Sequence, residues 1–109
     1  MHITKSEALN KLASENNILA TLFEHGTLSI EVYSPDKKDL QKPHDQDEVY
    51  IIISGSGTFY NDGERVQFSE GDFLFVPAGI EHRFENFTDD FSTWVIFYGP
   101  KGGETTASL

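Results

Sequence analysis

Between Gly71 and Asn86 the chain reads GDFLFVPAGIEHRFEN, and the punctuation of that stretch leaves few folds open. Gly71, Pro77, Gly79, His82 and Asn86 are separated in turn by five, one, two and three residues. Glycine enters tight backbone conformations that other residues resist, and proline withdraws a donor from any ladder it joins. A strand therefore ends at Pro77, a tight turn follows over Gly79, and His82 starts the next strand. A histidine held at such a position faces a chosen side of a sheet by the alternation of strand side chains.

The surrounding chain has the texture of short strands. Thr4 followed three residues later by Glu7 reads as a capping box, with Ala8, Leu9, Leu12 and Ala13 at helical spacing behind it, so one short amphipathic helix opens the chain. From Ile18 onward, segments rich in Val, Ile, Phe, Tyr and Thr alternate with turn formers: HG at 25–26, SPDKKD at 34–39, SGSG at 54–57, NDG at 61–63, SEGD at 69–72 and PAG at 77–79. Asn61-Asp62-Gly63 is the clearest hairpin turn. This pattern predicts an all-β sandwich or barrel, with a helical segment over 1–17, the β domain over 18–100 and a flexible tail over 101–109. At 109 residues one domain is expected.

Composition narrows the partners. Eighteen acidic residues against eight basic ones give a net charge of −10, which opposes unspecific binding to nucleic acid or an anionic membrane surface. The absence of cysteine removes disulfides and thiolate metal sites from consideration. The opening MHITKSEALN has no apolar signal-like run, and nothing approaches the roughly 20 apolar residues of a membrane span, so a cytoplasmic location is expected.

A second informative stretch, HDQDEVYIIISGSG over 44–57, places His44, Glu48 and Gly55 at defined offsets. Together the two stretches resemble the paired motifs of the cupin superfamily, and the chain is similar to a small single-domain, metal-binding cupin over residues 42–86. The resemblance implies a cupin-type β-barrel, the double-stranded β-helix or jelly roll. It further implies that His44, Glu48 and His82 are metal ligands. The slot of the first motif histidine holds Lys42, whose ammonium has no lone pair to offer, and the glycine that usually precedes it is Asp36.

Two imidazoles and one carboxylate form the donor set of facial triads on iron(II), which leave coordination positions open. Iron(II) is the favoured ion, with zinc, nickel or manganese as alternatives. Gln46 shares the period-two face of His44 and Glu48, so it is expected beside the site, as a hydrogen-bonding companion or as a fourth ligand. The resemblance implies an iron-type oxygenase acting on a small organic molecule. The alternatives are a metal-dependent isomerase or epimerase, or a non-catalytic barrel that binds a small ligand. It also implies a homodimer, and no catalytic side chain is assigned.

Tyr50 and Ile52 share the face of Glu48, and Phe84 and Asn86 that of His82, so all four are expected to look inward. For Trp94, Ile96 and Tyr98 the inward parity stays open. Asp45, Asp47, Asp89 and Asp90 read as solvated loop charges, Lys42 as a solvent-facing loop residue, and His25 and His2 lie outside the site.

Overall fold

The computed structural model describes residues 1–105. The helix forms where its capping box predicts: α1 spans Lys5–Ser14, the Thr4 hydroxyl accepts from the Glu7 backbone N–H at 3.1 Å, and the Glu7 carboxylate accepts from the Thr4 N–H at 3.3 Å. Ala8 and Leu12 are buried beneath it and Leu9 is half-buried, while Ala13 is exposed. The remaining elements are eight strands: β1 (Leu19–His25), β2 (Leu28–Tyr33), β3 (Asp47–Ser54), β4 (Ser56–Asn61), β5 (Glu64–Ser69), β6 (Phe73–Val76), β7 (His82–Glu85) and β8 (Ser92–Tyr98). No helix among the described residues is long and apolar enough to cross a membrane.

The strands form two antiparallel sheets, one ordered β1-β2-β8-β3-β6 and the other β5-β4-β7. Asp62 at φ 50° and Gly63 at φ 90° close the β4–β5 hairpin, and positive φ at both central residues is what a type I′ turn requires. Tyr50, Ile52, Val76 and Val95 from the large sheet meet Phe59, Phe68 and Phe84 from the small one, with Phe91 between them. Ring centroids stand 4.8 Å apart for both Tyr50–Phe84 and Phe59–Phe84, the tilted and edge-on contacts that aromatic quadrupoles favour. The result is the expected jelly-roll arrangement of two sheets over one aromatic core. Gly55, at φ 86°, lets the β3–β4 corner close on the last loop, where an added Cβ would lie 2.7 Å from Phe91 Cα.

Parity in β8 follows from its pairing. Tyr50 sits opposite Val95, and Ile51 opposite Trp94, so Val95 and Phe97 belong to the inner face. Trp94 packs outward, with Ala20, Val32 and Ile53, against Ala8 and Leu12 of the helix. The helix therefore covers the outer face of the large sheet and leaves the inner face to the site.

Three expectations need correction. Asn86 is exposed at φ 49°, because β7 ends at Glu85 and the strand alternation stops there. Asp47 is buried: its carboxylate accepts from Ala78 N–H at 3.0 Å and from Glu104 N–H at 2.8 Å. The expected flexible tail begins as a moored segment, since Gly102 N–H also donates to the Asp45 carbonyl at 2.6 Å. Residues 106–109 of that tail lie outside the described residues.

Candidate metal centre

His82 is the first residue of β7, delivered there by the Pro77–Gly79 turn. Its Nδ1 lies 2.8 Å from the Ile80 carbonyl and donates to it, which assigns the lone pair to Nε2 and aims that atom inward. Glu48, second in β3, points to the same place through the inward alternation it shares with Tyr50 and Ile52. His82 Nε2 and Glu48 Oε1 stand 3.0 Å apart, with their side chains almost wholly buried.

The pair is close yet unsatisfied. While the ring is neutral, Glu48 Oε1, Glu48 Oε2 and His82 Nε2 are buried without a hydrogen-bond partner, because the one ring proton sits on Nδ1 and faces the Ile80 carbonyl. A buried carboxylate left this way carries a desolvation penalty of several kcal/mol, on the order of that for any unpaired buried ion.

His44 arrives by a different route. It precedes β3 in the loop from residue 34 to 46, where its carbonyl accepts from Gly79 N–H at 2.7 Å and its ring rests edge-on against Phe97 at 4.8 Å. The mooring to Gly79 ties the two motifs together directly. One donor atom from each of His44, Glu48 and His82 lies within 4.8 Å of the others, so the three predicted positions converge. Unpartnered buried oxygens, an inward imidazole lone pair and a second imidazole fit a divalent cation of the borderline class.

Above the cluster is a cavity of about 90 Å³ whose walls include Leu19, Glu31, Tyr33, Gln41, Val95 and Phe97, with His44 and Glu48 at its base. Among the described residues no lysine or arginine lines it. Electrostatics there are dominated by carboxylates. Burial is the largest influence on His82 and pushes its pKa down, but the Glu48 carboxylate and the Ile80 carbonyl together outweigh it and leave the ring above its ordinary value. Burial pushes the Tyr50 hydroxyl well up, with the Glu48 charge adding to the effect. Burial also raises the Glu31 carboxyl, helped by the negative charges of Glu48 and Glu24 and opposed by the hydrogen bond from Thr21.

Two positions beside the cluster escape sequence reasoning. Asp39, buried, accepts four hydrogen bonds: from Tyr33 Oη at 2.7 Å, Gln41 N at 3.1 Å, Gln41 Nε2 at 2.6 Å and Phe84 N at 2.9 Å. Gln41 in turn presents Oε1 to Tyr50 Oη at 2.9 Å and to His44 Nε2 at 3.3 Å. Gln46 does not take the place expected for it. Strand alternation begins only at Asp47, and the Gln46 amide nitrogen donates instead to the carbonyls of Gly99 at 2.9 Å and Thr27 at 3.2 Å. Lys42 is exposed, as expected.

The profile of the cupin domain family matches residues 29–98, more than half of the chain. The chain belongs to the cupin family. Among relatives of this cupin, an uncharacterised protein of Streptomyces coelicolor is 37% identical over 76 residues, covering 68% of this chain and 72% of the other. An acireductone dioxygenase of Hydrogenobaculum sp. is 34% identical over 101 residues, covering 79% of this chain but only 55% of its own length. The cupin thus spans about half of the dioxygenase it matches. A cupin-2 domain protein from Shewanella frigidimarina superposes with a TM-score of 0.65 at 17% identity, over 83% of this chain and 90% of the other, which supports the fold alone.

Proposed function

We propose that this cupin is an iron(II)-dependent dioxygenase of a small, enolisable organic molecule. The observation that carries the metal half of this reading is the trio of unpartnered buried atoms, both oxygens of Glu48 and Nε2 of His82, lying beside His44 at the base of a cavity. One divalent cation held by His44, Glu48 and His82 satisfies all three atoms, whereas an apolar filling satisfies none. Iron(II) in a two-histidine, one-carboxylate set supplies open coordination positions for oxygen ligands and a redox couple. The similarity to acireductone dioxygenases from Hydrogenobaculum and Parvibaculum lavamentivorans supports the dioxygenase half, and suggests an enediol-bearing substrate class.

The residues around the cluster divide the remaining work. Leu19, Val95 and Phe97 form apolar walls that exclude water. Tyr33 donates its hydroxyl proton to Asp39, and burial together with that carboxylate pushes its pKa far up, so it stays a neutral, fixed wall. Glu31 turns Oε2 to the Thr21 hydroxyl at 3.4 Å, which leaves Oε1 free to hold a proton from a substrate hydroxyl. A carboxyl raised above its ordinary range suits that exchange near neutral pH better than an ordinary one.

Glu31 also favours a second reading, a metal-assisted isomerase in which a proton moves between neighbouring carbons and no dioxygen is consumed. The two are separated with protein loaded anaerobically with iron(II) and offered acireductone. Dioxygenase activity appears as oxygen uptake in proportion to substrate lost, and ceases without oxygen. Substrate conversion that continues undiminished in the absence of oxygen replaces this reading with the isomerase.

A further inference from the structure

Resting on the divalent-ion reading of the cluster, we infer that Gln41 is a fourth donor to the ion, through its amide oxygen Oε1. The orientation of the amide is fixed from behind. Asp39 is acceptor-only as a carboxylate, so the amide end at 2.6 Å from its Oδ2 is the NH2 group, and Oε1 is turned toward the cavity by elimination. Asp39 cannot swing away to release it, because Tyr33 Oη and Phe84 N–H hold the same carboxylate on the other side.

Oε1 carries two lone pairs. One accepts the Tyr50 hydroxyl at 2.9 Å, and the other faces His44 Nε2 at 3.3 Å. Donors bound to one divalent ion at about 2.0–2.1 Å stand roughly 2.8–3.0 Å apart when adjacent in an octahedral arrangement and roughly 3.3–3.4 Å apart in a tetrahedral one. The Gln41 Oε1–His44 Nε2 separation of 3.3 Å and the His82 Nε2–Glu48 Oε1 separation of 3.0 Å lie within the span of these two arrangements. Gln41 also shares the cavity with His44 and Glu48. With Lys42 pointing to solvent, the neighbouring glutamine supplies the donor that the lysine does not. The resulting set of two nitrogens and two oxygens is harder than three imidazoles and one carboxylate, and draws the preference toward manganese(II) and iron(II).

The test uses the full chain titrated with manganese(II) and cobalt(II), comparing wild type with Gln41→Ala, Gln41→Glu, Gln46→Ala and Glu48→Ala. Gln41→Ala is expected to weaken both ions about 10–100 fold, while Gln46→Ala stays within twofold of wild type. Gln41→Glu keeps an oxygen at the same point but sets its other oxygen against the acceptor-only Asp39 carboxylate, so it binds both ions more tightly than Gln41→Ala and gains more Tm than Gln41→Ala on manganese(II) addition. Exchange of amide for carboxylate on the ion also moves the visible cobalt(II) bands, whereas exchange outside the coordination sphere leaves them in place. Unchanged affinity in Gln41→Ala, or unmoved cobalt bands in Gln41→Glu, overturns the assignment while Glu48→Ala still loses the ion. A wild type that takes up neither ion overturns this assignment and the metal reading together.

Discussion

Asp39 and Glu48 are two carboxylates at nearly the same depth, 5% and 1% exposed, yet they live in opposite circumstances. Asp39 accepts four hydrogen bonds and has nothing left to offer. Neither oxygen of Glu48 accepts a hydrogen bond, and its neighbour His82, as a neutral ring, turns a lone pair toward it. A fold that can saturate one buried carboxylate so fully has the means to saturate the other. The contrast separates a clasp, which shapes the chain, from a donor kept free for something brought from outside.

The largest effect expected of breaking this contrast is at Glu48. Glu48→Ala should lower divalent-ion affinity by at least about a thousandfold, beyond the 10–100 fold typical of groups that merely orient a ligand. Metal analysis after dialysis, together with melting in chelator, checks it: the ion-free variant should be at least as stable as ion-free wild type, because the unpaired charge is gone. Asp39→Ala should do the reverse. Stranding Tyr33, Gln41 and the Phe84 N–H costs about 3 kcal/mol, measured by urea unfolding in chelator, since bonds to a charged acceptor are the stronger kind.

A smaller effect is expected at Glu31, which stands between the two extremes. Its folded pKa is raised, so its ionised form is disfavoured in the native state: the penalty is absent below the ordinary carboxylate range and complete once pH exceeds the folded value. Glu31→Gln should therefore melt slightly higher than wild type at neutral pH, with the gap closing in acid, while turnover by iron-loaded protein falls about 10–100 fold. The smallest effect belongs to the half-buried surface carboxylate of Glu85, which Arg65 at 2.9 Å and Arg83 at 2.8 Å hold below its ordinary pKa. That stabilisation is present above the ordinary value and is lost as pH falls through the folded one. Glu85→Gln should lower Tm marginally at neutral pH, and added salt or acid should erase the difference.

Much of this architecture is legible in the residues. The Thr4–Glu7 capping box, the Asn61-Asp62-Gly63 turn and the frame around His82 act over a few neighbouring positions, where local sterics and hydrogen bonding decide the outcome. The convergence of His44, Glu48 and His82 was readable through their motif spacing. Gln41 and Asp39 were not, because they reach the site by the path of an irregular loop that no periodicity describes. Gln46 misleads for the same reason: it precedes Asp47, where no strand exists to enforce alternation. Asp47 sits in an acidic run that reads as solvated, and only the return of the chain at Ala78 and Glu104 buries it.

That return has a practical side. Gly102 and Glu104 grip the Asp45 and Asp47 positions that flank the approach to Glu48, and an added Cβ at Gly103 would lie 2.9 Å from the Asp47 carboxylate. Trimming the polypeptide ahead of Gly102, or replacing Gly103 with a bulkier residue, would slacken the strap that keeps the His44 loop seated. A purification handle is better attached at the helical end, where the distance to that strap is greatest along the backbone.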